Sequence, residues 1–258
     1  MNIPVRIALV RRIAPAAAAL LYAAFPARAQ DGLPQRRSYS VDQVRKSCID
    51  FANVKLGTNS YDVGECRVSS FGALGTVGGQ VYYYALYCLL TNDRLAEGHC
   101  GDTSFVGRSH RNRGLAVFAG DRGSATVRLA YERVNPEVGI MVYAQPEILR
   151  TGHGTFLYLP IRVDGTGSYN ESEYYLRAGG AWQRLDSESW LKDLASRLPP
   201  GREIWKGVWP NLATLRAESG LWRKGDGNCC PTGGQVRVRL AIRDRRFVIV
   251  SAVVDTTS

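Results

Sequence analysis

Two adjacent thiols, Cys229 and Cys230, lie within Gly225-Asp226-Gly227-Asn228-Cys229-Cys230-Pro231-Thr232-Gly233-Gly234, the stretch whose residue types come closest to chemistry. Glycine, Asp, Asn and Pro together specify a tight irregular loop. Paired sulfurs at its tip could undergo reversible oxidation, hold a metal or clamp a partner. The plainer role is a structural bridge that stiffens the loop. Neighbouring Cα atoms stand about 3.8 Å apart across a trans peptide, whereas disulfides usually span about 4.4–6.8 Å, so a bridge between neighbours would be strained and comparatively reducible.

Which role applies depends on the compartment. Arg6, Arg11 and Arg12 give the N-terminus a positive start, Ile13–Phe25 is a short alanine-rich apolar segment, and Ala27-Arg28-Ala29 has the form of a small-x-small cleavage site. Residues 1–29 are expected to be a signal peptide, cut near Ala29, with the remainder periplasmic or secreted. Four of the 33 Lys+Arg residues and none of the 23 Asp+Glu fall in that leader, so the net charge drops from +10 to +6. Much of the basicity is therefore targeting. Ile13-Ala14-Pro15 after Arg11-Arg12 fits a twin-arginine signal poorly. Beyond the leader, the longest nearly unbroken apolar run, Val81–Leu90, is far short of the roughly twenty residues of a membrane helix, and no transmembrane segment is expected in the mature chain.

In an oxidising compartment the even set Cys48, Cys66, Cys88, Cys100, Cys229 and Cys230 reads first as disulfide material. Cys48–Cys66 and Cys88–Cys100 are the simplest pairs, each closing a loop of modest length and stabilising by roughly 3 kcal/mol if unstrained. Cys229 and Cys230 are then left to each other. A zinc site needs chelating pairs at two separate places, whereas His99, His110 and His153 stand alone and Cys88 competes for Cys100. No metal and no cofactor is expected.

Nucleophilic catalysis has no local signature here. A Gly-x-Ser-x-Gly elbow, a Ser-x-x-Lys pair and a His-Glu-x-x-His helix are all missing from the sequence. Ser109-His110 falls in the basic cluster Arg108, His110, Arg111, Arg113, which reads as a solvated loop. Asp186, Glu188 and Asp193 around Trp190 could suggest paired-carboxylate work. They are better explained as the polar start and outer face of a helix.

Binding without chemistry has two candidates. Arg237, Arg239 and Arg243 alternate with apolar residues and would line the outer face of a terminal hairpin, where they could meet an anionic polymer. Such a ladder also serves to guard an exposed strand against aggregation. Tyr82-Tyr83-Tyr84, Tyr169, Tyr174-Tyr175, Trp182, Trp205 and Trp209 could stack on sugars or on a partner, although core packing accounts for most aromatics in such a chain.

The terminal quarter carries one resemblance. Asp226, Asn228 to Gly233 and the strand from Gln235, with Glu203-Ile204-Trp205-Lys206-Gly207 and Leu221-Trp222-Arg223 ahead of them, resemble the ends of exported bacterial proteins in which Asp-x-x-Cys-Cys-Pro-Ser/Thr-Gly precedes an apolar strand. No activity is assigned to that group. The resemblance implies export and carries over no catalytic residue.

The elements that must position these groups follow from period and punctuation. With 45% hydrophobic and 22% charged residues the chain is globular rather than disordered. Ser40-Val41-Asp42-Gln43 has the form of a capping box, and the spacing of Val44, Cys48 and Phe51 predicts a helix over 41–55. Val81–Leu90 predicts a buried strand. Leu115–Ala119 and Ala125–Val134 flank Gly120-Asp121-Arg122-Gly123 as a hairpin. Ile140–Ala144, Thr155–Val163, Glu173–Arg177 and Ala181–Leu185 read as further strands, and Trp190, Leu191, Leu194 and Leu198 predict a helix over 188–198 that Pro199-Pro200-Gly201 ends. Residues 205–221 admit helix or bent strand. Val236–Ile242 and Phe247–Val254 across Asp244-Arg245 predict a final hairpin. The expected fold is α+β, mainly antiparallel sheets with a few packed helices, disulfide-stabilised, in an N-terminal unit (30–139) and a C-terminal unit (140–258).

The expected function is that of an exported, non-catalytic binding or envelope-associated component, its partner an envelope protein, a glycan or an anionic polymer. A hydrolase with a loop-assembled site and a thiol-redox or metal-handling protein using Cys229 and Cys230 are the alternatives.

Overall fold

Strands dominate because period-two alternation runs through most of the chain and only two segments carry a helical period. The structure, a computed structural model, describes residues 38–49, 63–91, 112–134, 141–163 and 170–256. The expected leader, Cys100, His99, Tyr169 and residues 108–111 of the basic cluster lie outside the described residues, whereas Arg113 of that cluster is buried on a strand rather than solvated in a loop.

The five-stranded antiparallel sheet has the order β1-β5-β4-β3-β2, built from β1 (Ser38–Ser40), β2 (Val63–Val77), β3 (Gln80–Thr91), β4 (Asn112–Asp121) and β5 (Thr126–Val134). The four-stranded sheet runs β11-β10-β8-β7, from β7 (Glu147–Thr151), β8 (Gly154–Leu159), β10 (Glu173–Ala178) and β11 (Ala181–Arg184). β6 (Met141–Tyr143) pairs with β9 (Ile161–Val163). The last sheet is β12 (Arg216–Gly220), β13 (Gln235–Arg243) and β14 (Arg246–Asp255), with β13 in the middle.

Two of the sheets are buried on both faces, which is why their strands read as continuous apolar runs rather than as clean alternation. Along β3, Tyr82, Tyr84 and Leu86 face a core shared with Leu157, Leu159, Tyr175 and Trp182, while Ala85 and Tyr87 face a second core with Phe118, Val127 and Val44. Along β8 and β10, Phe156 and Tyr174 turn the other way, into a third core with Trp190, Leu194, Val236, Val238 and Leu240. The middle core thus joins side chains from both sides of the Pro136–Pro146 stretch.

The α+β expectation is corrected: strand makes up 59% of the described residues against 8% helix, a β-rich fold. Both helices among the described residues are short. α1 (Val41–Lys46) starts as the sequence suggests, with the Ser40 hydroxyl accepting the Gln43 N–H at 3.0 Å. It stops at an extended Ser47 rather than continuing to 55, and the next residue, Cys48, is bonded to Cys66 on β2 with Cα atoms 6.1 Å apart, which holds the chain against the sheet. α2 (Ser189–Ser196) buries Trp190 and Leu194 and packs toward β14. The segment 205–221 yields no helix, only β12 at its end. The sequence reading also passed over β2, whose three irregularities in register against β3 break the period that would have marked it. No helix among the described residues is long and apolar enough to cross a membrane.

Candidate functional site

The last hairpin turns one row of side chains inward and one outward. Val236, Val238 and Leu240 are buried, while Gln235, Arg237 and Arg239 are exposed. Register then decides the neighbours: Arg239 lies between Arg216 on β12 and Ser251 on β14, and Arg237 lies between Glu218 and Val253. Residues directly opposite in an antiparallel pair bring their Cβ atoms within about 5 Å, so Arg216 and Arg239 share one patch.

These side chains floor an open groove of about 690 Å³ that Trp209, Asn211 and Thr214 wall on one side. Among its lining residues are three arginines and a single glutamate. Arg237 faces Glu218 and reaches Asp255 at 3.4 Å, so its charge is largely answered within the sheet. Arg216 and Arg239 have no carboxylate partner among the described residues. A like-charge pair placed directly across two strands is unfavourable by a few tenths of a kcal/mol or more, and here it borders an open groove.

Trp209 reaches the groove by local design. Its chain neighbours Val208 and Pro210 are buried, leaving the indole 40% exposed between them. The Val208 N–H donates to Asn170 Oδ1 at 2.6 Å and Asn170 Nδ2 donates back to the Val208 carbonyl, which clamps the backbone. A Cβ at Gly207 would stand 2.7 Å from Trp209 Cζ2, so the ring folds over a position only glycine can occupy without a shift. Asn211 Oδ1 then accepts the N–H groups of Ala213 and Thr214, both at 3.0 Å, turning the chain into β12.

The loop 225–234 joins β12 to β13 at the far end of the same hairpin, and Cys229 and Cys230 are bonded to each other. Both are exposed. Asp226 organises the loop: its Oδ2 accepts the Arg223 N–H at 2.7 Å and the Thr232 N–H at 2.9 Å, while Oδ1 accepts the Thr232 hydroxyl at 2.7 Å. The Arg223 amide first, then the Thr232 hydroxyl and amide, hold the Asp226 carboxyl below the usual carboxylate range. Behind the loop, Trp222 Nε1 donates to the Gly227 carbonyl at 3.2 Å, and the Trp222 ring stacks on Trp205 with centroids 5.8 Å apart. Glu203 and Trp222 exchange backbone hydrogen bonds at 3.1 and 2.9 Å. Three stretches noted separately in the sequence, 203–207, 221–223 and 226–233, are therefore one structural unit.

The structure brings Arg237 and Arg239 together with Arg216 and Trp209, but no contact links either arginine to the Cys229–Cys230 pair among the described residues. Cys88 is disulfide-bonded, and Cys100 lies outside the described residues. Asp186 caps α2, accepting the N–H groups of Glu188 and Ser189 at 2.9 and 3.0 Å. Partial burial works against its ionisation, but those donors outweigh it and hold its carboxyl below the usual range. Asp193 is exposed on the outer face of α2, and His153 is exposed in a turn. Of the aromatic candidates, Tyr82, Tyr84, Tyr174, Tyr175 and Trp182 are buried core. Arg216 escaped the sequence reading because its strand is short, although the alternation Leu215, Arg216, Ala217, Glu218 was there to find it.

One other polar cluster stands out, and it is a structural joint. Glu173 on β10, 6% exposed, accepts the Tyr131 and Tyr175 hydroxyls at 3.2 and 2.8 Å and pairs with Arg133 Nη1 at 2.7 Å, tying β5 to β10 inside the middle core. Burial, with the carboxylate adding to it, raises both tyrosine hydroxyls above their ordinary range, so they remain donors. Burial pushes Tyr143, in the same core, up to about 12.

Neither models of known protein families nor curated proteins give a match to this chain.

Proposed function

We propose that this chain is an exported, non-catalytic binding protein of the cell envelope, and that the groove on the outer face of β12–β14 takes an anionic glycan. The observation that carries this reading is the pairing of Arg216 with Arg239 in direct register, unanswered by any carboxylate among the described residues and bordered by the exposed Trp209. Guanidinium groups are suited to carboxylate or phosphate because their planar donors meet two oxygens at once. An indole face beside them offers a stacking surface for a sugar ring. A groove open to solvent admits one stretch of a longer chain as readily as a small molecule. The Arg-rich outer face of β13, read from sequence as a place where an anionic polymer would meet the protein, supports the same assignment.

The test is affinity electrophoresis of the purified chain through gels containing a uronate polysaccharide or a neutral polysaccharide. Retardation by the acidic polymer alone is expected, weakening as salt rises because the contacts are charged. Arg239→Glu should weaken it about tenfold, the scale of one lost charge-assisted contact, and Trp209→Ala should weaken it at constant salt dependence. Equal retardation of parent and Arg239→Glu would overturn the groove assignment. Stronger retention by single-stranded DNA than by the polysaccharide would replace the glycan.

A further inference from the structure

A disulfide usually stabilises a fold by closing a loop of the unfolded chain, and the gain grows with loop length. Cys48–Cys66 fits that account, with a sequence separation of 18 that fastens the end of α1 to β2. Cys229–Cys230 does not. Its separation is 1, so it removes almost no freedom from the unfolded chain beyond the peptide unit it spans.

Nor does the loop depend on it for shape. The three hydrogen bonds to Asp226, the Cys230 N–H to the Gly227 carbonyl at 3.0 Å, the Trp222 indole to the same carbonyl, and Arg202 Nε to the Gly233 carbonyl at 2.9 Å are all made without either sulfur atom. Gly233 and Gly234 seat the far end: a Cβ on Gly233 would lie 2.6 Å from the Leu221 carbonyl oxygen, and one on Gly234 would collide with that of Asp255. The frame is complete without the bridge, while both sulfur-bearing residues are exposed at its tip. Their Cα atoms, 3.8 Å apart, sit below the span that unconstrained disulfides take, a deviation that makes such bonds easier to reduce.

We infer that Cys229–Cys230 is a thiol–disulfide exchange site that cycles with a dithiol while the rest of the protein stays folded. One thiolate of the dithiol attacks a sulfur of the bridge, forming an intermolecular disulfide and releasing the other cysteine as a thiolate that takes up a proton. The second thiol of the reductant, as its thiolate, then attacks its own sulfur in that mixed disulfide. The reductant leaves as a disulfide, and Cys229 and Cys230 are both thiols, having gained two electrons and two protons. A disulfide of higher potential drives the same steps backwards. This site is separate from the glycan groove and does not rest on it.

The test is a reduction series on the oxidised, purified chain with dithiothreitol, quenched with iodoacetamide and read by peptide mapping, with circular dichroism recorded in parallel. The peptide bearing Cys229 and Cys230 should gain two labels at a reductant concentration about tenfold below that which labels Cys48 and Cys66, with the β-sheet signal unchanged. Labelling of all cysteines together, labelling only as the sheet signal collapses, or an unreduced map joining Cys229 or Cys230 to a different cysteine would overturn the inference. The double variant Cys229→Ser/Cys230→Ser provides a second readout. It should melt within about 2 °C of the parent, whereas a drop as large as that of Cys48→Ser/Cys66→Ser would make the bridge structural.

Discussion

Asp226 and Glu173 are two carboxylates held in different surroundings, one at the surface and one buried. Asp226 is held by three donors at the protein surface, and its carboxyl titrates below the ordinary aspartate value of 3.8. A depressed folded value means that its contribution to loop closure is complete above the ordinary value and is lost as pH falls through the lowered one. Amide exchange at Arg223 and Thr232 should therefore accelerate, relative to the β13 core amides, as pH drops below about 3.8 once the intrinsic acid dependence is divided out. In Asp226→Asn that acceleration should be absent, because nothing remains to titrate; hydrogen-exchange mass spectrometry of the loop peptide checks both. Glu173 is different, since it is buried and sits among two hydroxyls and two guanidinium groups, those of Arg133 at 2.7 Å and Arg184 at 3.7 Å. Glu173→Ala would leave the Tyr131 and Tyr175 hydroxyls without their acceptor in the middle core and remove the partner of Arg133, and should lower stability by about 3 kcal/mol, read from the urea midpoint. Glu173→Gln should recover part of that loss.

At the scale of elements, the three-stranded sheet trades cohesion for a charged face. Placing Arg216 across from Arg239 costs sheet stability, and the cost is visible only in the register of β12 against β13. Arg239→Glu converts that repulsion into an attractive cross-strand pair. It should raise the urea midpoint by the equivalent of about 0.5 kcal/mol while weakening glycan binding. A variant that gains stability as it loses affinity separates a binding role from a structural one, because a residue kept for the fold would lose both. The neighbouring Arg237 should behave otherwise, since Glu218 and Asp255 already answer its charge: Arg237→Glu would set carboxylates against each other and lower the midpoint.

For the molecule as a whole, the described elements enclose three cores, and the covalent tie between Cys48 and Cys66 acts on the one that holds Val44, Ile49 and Tyr87. Removing it leaves α1 with its buried Val44, and Ile49 beyond it, held to the five-stranded sheet by packing and by the Ile49 N–H to the Tyr87 hydroxyl at 3.1 Å. Cys48→Ser/Cys66→Ser should cost about 3 kcal/mol by loop closure, measured as a fall in denaturation midpoint that reductant does not deepen at that pair. The middle core, where β3 and β4 meet β8 and β10, should keep its cooperativity in that variant, because its contacts do not involve the bridge.

Local periods were enough to mark β3, the β4–β5 hairpin, α2 and the β13–β14 hairpin, because alternation of buried and exposed positions is a property of a strand or helix taken singly. For the same reason Arg237 and Arg239 could be placed on an outer face before any partner was known. The sequence also contained both halves of the Cys-Cys unit, residues 203–207 and 221–233, without the backbone pairing of Glu203 with Trp222 that makes them one. What needed the tertiary structure was everything set by pairing between distant segments: that Arg216 opposes Arg239, that Trp209 stands over them, that α1 ends at a disulfide, and that helix contributes so little. Strand register and sheet order are chosen by packing across the cores, and packing joins residues that no window along the chain can hold together.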